Sequence, residues 1–370
     1  MAESFFKSLH PTRDFVSTRT LLHEALPLTG TIPSGNYNDE NIKNYTHGMF
    51  QSVYDYPYLS SSSNHIFDLT VGISAKSGLY DSIASMKKKK SNIYNQMAQV
   101  LVGHDVTGST LRFDESGDNG NDSGTKMNEL IFINFARILH KDEIKKGSFE
   151  LKLGVSGSYT TPFGMVAVED KVITITDLSG SDGYMVNSPA GEYGILYATG
   201  SALTASCVDE NGYTQVGHIY YQAGLACLTC SVFTSDKIGG VNAADQPAFA
   251  GPSDNGETIV ATLTGSEISG TADNFRHRLL NCQFNNTVEL NSTVYFCRVN
   301  HNEFNYSTNP TYVSESKIQV KEMTTDTPVS YITTVGLYND ANELLAVAKL
   351  SEPLKKDPSN EFTLRVRLDY

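Results

Sequence analysis

The chain contains no tryptophan and only five cysteines in 370 residues. Their odd number and uneven positions, Cys207, Cys227, Cys230, Cys282 and Cys297, do not form a disulfide framework. No apolar run reaches the ~18 residues that mark a membrane-spanning helix. The opening stretch MAESFFKSLHPTRDF lacks the continuous apolar core of a secretory signal, so the chain is expected to be soluble and made without export. Positive charge is also scarce. Lys+Arg total 28 against 41 Asp+Glu, a net charge of −13, and a nucleic-acid coat would need cationic faces to neutralise phosphate. Charged residues make up 19% of the chain, below the ~25% of an average domain. What is abundant instead is Tyr (20), Phe (17) and Gly (29), with many Asn, Ser and Thr. Such a composition favours strands and contact surfaces over long solvated helices, and the length points to two or three domains.

The motifs that carry chemistry are weak. Cys227 and Cys230 form one CxxC within Leu225–Phe233. Zinc would need two further ligands, and no second CxxC or paired His supplies them. A redox CxxC opens a helix, whereas this one sits among small, β-branched and aromatic residues, so reduced, buried thiols are expected. Gly103–Ser109 matches the glycine spacing of a phosphate-binding loop but has Ser109 where the lysine must sit. Asp114–Gly124 imitates a calcium loop registered on Asn119, yet its twelfth position is Leu130 and Glu129 falls one residue early. It reads as a flexible acidic loop. His301 and Glu303 stand close together in Asn300–Tyr306, a composition that satisfies backbone groups at strand ends. HExxH and GxSxG are absent, and the SxxK matches at Ser85/Lys88 and Ser314/Lys317 stand alone. The glycosylation sequons at Asn285, Asn291 and Asn305 mean little without export. No enzyme, cofactor or metal site is expected.

Residues 1–35 carry aromatics and prolines without a period and read as an extended arm. Phe5, Phe6, Phe15, Leu21 and Leu22 make it too apolar for a solvated tail, so it is expected to order against a neighbouring subunit. Ile42, Tyr45, Met49, Phe50 and Val53 recur at three- and four-residue steps, and the spacing predicts a helix there. Further helices are predicted from about Ser82 to Leu101 and from Asn128 to Lys141, with Ile66–Val71 extended between them. From residue 148 the texture alternates. Strands are predicted at 149–154, 172–177, 194–197, 216–221, 225–233, 293–299, 330–338, 343–350 and 361–369, with Asn339–Asn342 as a hairpin turn. The expectation is an α+β chain in three parts: an extended arm (1–35), a helical domain (36–147) and a β-rich, sandwich-like domain (148–370) with a loop-rich insertion around 234–274. Lys87, Lys88, Lys89 and Lys90 form the one cationic run, a solvated helix end or a dock for an acidic partner.

Several stretches resemble a family of virion structural proteins of large contractile-tailed phages of marine bacteria. They include Ile131–Leu139, Asp142–Phe149, Tyr193–Tyr197 and His218–Gly224. The similarity is densest after residue 280, at Asn291–Arg298, Asn302–Tyr312, Ser330–Asn339, Leu345–Asp357 and Leu364–Asp369. The resemblance implies a non-catalytic structural subunit of the virion, by family association of the tail or baseplate. Its partners would be other virion structural proteins and symmetry-related copies of itself, with no nucleic acid and no membrane. The alternatives are a head or neck component, a receptor- or carbohydrate-binding tail module, and a virion-borne hydrolase.

Overall fold

Short runs of β-branched and aromatic residues dominate the chain, and in the computed structural model they become nineteen strands, against three α-helices, among the described residues. The structure describes residues 6–27, 39–80, 87–118, 124–139, 142–155, 172–180, 182–234, 236–238, 258–265, 267–307, 313–314, 317–318 and 323–370. The first strands are β1 (Phe15–Pro27), β2 (Ile42–Asn44), β3 (Gln51–Tyr54), β4 (His65–Ile73), β5 (Glu129–Asn134), β6 (Glu143–Ile144) and β7 (Glu150–Gly154). Next come β8 (Val172–Thr176), β9 (Met185–Ser188), β10 (Gly191–Thr199), β11 (Thr214–Tyr220), β12 (Leu225–Thr229) and β13 (Leu279–Gln283). The last six are β14 (Asn285–Val299), β15 (Val313–Ser314), β16 (Lys317–Ile318), β17 (Ser330–Tyr338), β18 (Leu344–Lys356) and β19 (Phe362–Asp369). The helices are α1 (Lys87–Leu101), α2 (Ile259–Thr264) and α3 (Ser269–Arg278).

The chain divides into two compact units, one of Leu22–Val288 and one combining Met1–Leu21 with Glu289–Tyr370. The larger unit is built on an eleven-stranded sheet in the order β13-β7-β8-β10-β11-β12-β5-β4-β3-β2, with β9 beside β10. Every pairing is antiparallel, and the sheet consists of two meanders joined where β5 meets β12, with Phe132 opposite Cys227 and Ile131 opposite Leu228. β5 is paired again on its other edge to β4. Leu130, Ile131, Phe132 and Ile133 are all buried, which explains the continuous apolar run: both faces of the strand lie in the core. Tyr94 of α1 places its ring edge-on to Phe113, with centroids 5.6 Å apart, and donates to the Met127 carbonyl at 2.8 Å. Arg278, at the end of α3, is buried and donates to the Gly154 carbonyl at 3.1 Å.

In the smaller unit β14 is the middle strand between β1 and β19. Cys297 faces Leu364 and Phe296 faces Arg365 across the β14–β19 pair. β17 and β18 form a separate two-stranded hairpin, and β15 pairs with β16.

The expected helical N-terminal part is not present, and the α+β division with it is corrected. Of the three helices predicted before residue 148 only α1 forms. Residues 42–53 fold as the β2–β3 hairpin, with Ile42 opposite Val53, and Gly48 takes φ +61° in the connection, a conformation that a continuous helix excludes. Where the helix at 128–141 was expected, Glu129–Asn134 form β5 and Ala136–Ile138 a 3-10 turn, while residues 140 and 141 lie outside the described residues. A run apolar all round fits a buried strand as well as a buried helix, and here pairing on both edges decided for the strand. In the insertion, α2 and α3 form; residues 239–257 lie outside the described residues. The predicted strand 225–233 is β12 up to Thr229 and a 3-10 turn from Cys230 to Phe233.

Candidate interaction surface

The feature that sets the smaller unit apart is the β17–β18 hairpin. Its two strands have unpaired outer edges among the described residues, because each pairs as a strand only with the other. Val335 lies opposite Ala348, Gly336 opposite Val347 and Leu337 opposite Ala346. The turn is built as the sequence predicts. Asn339 accepts the Glu343 N–H on its side-chain oxygen at 2.8 Å and donates from Nδ2 to the Glu343 carboxylate at 2.7 Å, while Asn342 takes φ +63°. The hairpin nevertheless leaves large apolar groups in water. Leu345 is 68% exposed, Tyr331 53%, Leu344 and Val347 51% each, and Tyr338 45%. A two-stranded hairpin is marginal by itself in water, and an apolar patch of this kind marks a contact surface.

Beside the hairpin, within the same unit, lies a groove of about 400 Å³ lined by Phe6, Phe304, Tyr306, Tyr331, Tyr338 and Leu364, among others. Phe6 packs against Tyr338 with ring centroids 4.7 Å apart and the rings tilted by 52°. Lys7 anchors that end of the chain through a 2.5 Å ion pair to Glu303, whose carboxyl burial would raise but Lys7 and the Asn300 N–H hold below its ordinary range. Phe304 takes φ +57°, a conformation costly for a bulky residue. It is held there by its neighbours. Ser330 donates to the Phe304 carbonyl, Asn305 donates to the His301 carbonyl, and the buried Lys356 Nζ donates to the His301 carbonyl and to Asn305 Oδ1. The Asn300–Tyr306 segment thus satisfies backbone groups, as its composition suggests, and presents the Phe304 ring to solvent.

The residues expected to contact partners are placed as follows. Phe6 reaches the groove. Phe15 lies against Tyr295 of its own chain, centroids 5.9 Å apart, and the Asp14 carbonyl accepts the Phe296 N–H at 2.7 Å. Over these residues the arm is a strand paired within the chain, where contact with another chain was expected. Leu21 and Leu22 belong to β1, while Phe5 lies outside the described residues. The lysines do not act as one cationic patch. Lys87 opens α1 and Lys88 is exposed, but Lys89 donates to the His47 carbonyl at 2.8 Å. Lys90 is fully buried. The exposed hairpin residues Leu344, Leu345 and Val347 are not evident from the sequence, because a continuous apolar run in a strand ordinarily means burial and nothing in the run Leu344–Ala348 distinguishes an exposed one.

The weaker motifs resolve into structure. Cys227, Cys230 and Cys282 are free and buried, and burial pushes each thiol up, so none is a ready nucleophile. Asp114, at the head of the acidic loop, is buried, paired with Lys126 at 2.9 Å, and accepts from the Ser116 N–H and hydroxyl; residues 119–123 lie outside the described residues. Among the described residues no group of three or more His, Cys, Asp or Glu side chains could hold a metal, and no helix is long and apolar enough to cross a membrane. No family model matches the chain, and no curated protein and no solved structure matches it.

Proposed function

We propose that this chain is a structural subunit of a tailed-phage virion, most fittingly of the tail or baseplate, working through subunit contacts and without catalysis. The observation that carries the reading is the β17–β18 hairpin, with unpaired edges and exposed Leu344, Leu345, Val347 and Tyr331. A chain acting alone has no use for such a surface, whereas a subunit gains from covering it on assembly. The resemblance of residues 291–369 to virion structural proteins supplies the kind of assembly. The aromatic groove suits protein partners better than nucleic acid, in keeping with the acidic balance of the chain.

The test is to purify phage particles, detect the chain by mass spectrometry, and locate it by labelling and particle imaging. Density in the tail or baseplate in several symmetry-related copies supports the reading. Density at the neck or head moves the chain to that part of the particle, and absence from the particles of a phage that expresses it overturns the proposal.

A further inference from the structure

Within the larger unit, the connection between β2 and β3 and the start of α3 border a cleft of about 260 Å³. Tyr45 and Phe50 form its apolar wall. Phe50 lies 4.7 Å from Tyr45 and 5.1 Å from His47, ring centre to ring centre, and His47 stacks on Tyr45 at 5.2 Å, so the wall is set before any ligand arrives. Gln51 also lines the cleft and is only 1% exposed. Its Nε2 donates to Asn44 Oδ1 at 2.9 Å and to Asp273 Oδ1 at 2.8 Å, which spends both amide hydrogens and fixes the orientation of the group. Oε1 is left as a buried acceptor without a partner among the described residues, a group that calls for a donor.

The opposite side is the N-terminus of α3. Ile268 supplies no side-chain cap, and the first N–H the helix uses is that of Ala272, to the Ile268 carbonyl. The N–H groups before it are left for an outside acceptor. Lys89 spends one ammonium hydrogen on the His47 carbonyl at 2.8 Å, and Glu267 one carboxylate oxygen on the Ser269 hydroxyl at 3.0 Å. These groups select by charge. An anion would suit Lys89 and the helix end, but would set its charge against Glu267 and its lone pairs against Gln51 Oε1. A cation would meet Lys89 and the positive end of α3. A neutral ligand bearing hydroxyls, each donor and acceptor at once, serves both sets while its C–H face rests on Phe50. The volume falls below the ~300–1,000 Å³ of sites for drug-sized ligands, which limits the ligand to a single sugar ring.

We infer that this cleft binds a neutral pyranose unit. The inference goes beyond the structural role proposed above and does not rest on it.

Amide NMR of the full-length chain tests it, with the methyl pyranosides of glucose, galactose, mannose, N-acetylglucosamine and rhamnose added one at a time and inorganic phosphate as the anionic probe. At least one of the sugars should shift the Ser269 and Gly270 amides and the Gln51 side-chain amide, saturably and at millimolar concentrations. Glu267→Ala and Lys89→Ala should each weaken that binding about fivefold or more, the worth of one hydrogen bond. Lys88→Ala, outside the cleft, should leave it unchanged. Glu267 is exposed, so the fold is retained in its variant and is checked by circular dichroism. No shift with any of the sugars, phosphate binding as tightly as the best of them, or unchanged affinity in Glu267→Ala overturns the assignment. None of these outcomes bears on whether the chain is found in particles.

Discussion

Lys90 Nζ donates a 2.8 Å hydrogen bond to the carbonyl of Leu263, and a second of 3.1 Å to that of Gly265. These carbonyls lie at the C-terminal end of α2, so the ammonium neutralises the negative end of one helix from the first turn of another. A lysine in the first turn of α1 is unfavourable for that helix's own dipole, which makes the long-range bond the reason for its place. Lys90→Met should destabilise the larger unit by about 2–4 kcal/mol, because a buried and a part-buried carbonyl lose their donor. Lys88→Met should change stability by less than ~0.5 kcal/mol, as for an exposed site. Urea unfolding of the two variants checks the contrast, and equal effects would mean the run acts as a unit.

Two buried groups set opposing pH dependences. Asp177 accepts the N–H groups of Gly147 and Phe149 and the Tyr221 hydroxyl, yet burial pushes its carboxyl up to about 6. Between the ordinary aspartate value and 6 the folded chain holds a proton that the unfolded chain releases, so this group's contribution is lost as pH rises through about 6. His218 is fully buried, with Tyr193 5.1 Å and Phe113 6.4 Å from its ring, and burial holds it down at about 4. Its contribution runs the other way, complete above about 6.5 and lost as pH falls through about 4. Each amounts to about 3 kcal/mol, and the two nearly cancel. His218→Phe should unmask a stability that falls as pH rises from 4 to 6, and Asp177→Asn one that rises over the same interval. Unfolding free energies measured across that range decide it; curves parallel to the wild type would refute the assignment.

Gly217 in β11 lies opposite Leu228 of β12, and a Cβ there would stand 1.9 Å from the Cys227 carbonyl oxygen. The obstacle is main chain of the neighbouring strand, so relief requires parting two central strands. Gly217→Ala should cost more than ~3 kcal/mol and lower Tm by roughly 6–12 °C. A calorimetric Tm within 2 °C of wild type would show that the strands can part there at little cost.

Strands such as β7 and β8 were legible because Leu151 and Leu153, or Ile173 and Ile175, are buried in alternation with half-buried neighbours, whereas β9, β13, β15 and β16 were not among the expected strands. The hairpin turn was legible because Asn339 and Asn342 are suited to the bonds and the positive φ it needs. The N-terminal half was not, for two physical reasons. Leu130–Ile133 are buried on both faces of β5, which erases the period of two. The three- and four-residue spacing from Ile42 to Val53 arose across a hairpin, whose two strands each place apolar groups on one face. The hairpin surface was half legible: the strands could be read, but exposure depends on what packs over them, and no local pattern encodes an absent neighbour. Lys90 was misjudged for the converse reason, since the carbonyls it serves lie 173 and 175 residues away.

The arm yields the last prediction. From the sequence, residues 1–35 order only against a partner, and removing residues 1–30 leaves a folded monomer that no longer assembles. In the structure Asp14 and the residues after it complete the sheet of the smaller unit. Asp14 takes the Phe296 N–H and pairs with Arg298 at 3.2 Å, Ser17 meets Thr293 hydroxyl to hydroxyl at 2.9 Å, and Phe15 covers Tyr295. Apolar burial at ~25 cal/mol per Å² cannot by itself offset ~1–2 kcal/mol of ordering entropy per residue. Strand pairing and the anchored end at Lys7 and Phe6 supply the difference within the chain. Deleting residues 1–18 should therefore destabilise the smaller unit by about 1–3 kcal/mol, the sum of a few net hydrogen bonds and one half-buried aromatic, and open a long edge on β14 to aggregation. Hydrogen exchange reads the outcome at one amide. The Phe296 N–H should be protected in the full-length monomer and exchange freely in the truncated chain. Free exchange of Phe296 in the full-length monomer, with protection appearing only on assembly, would return the arm to a neighbouring subunit.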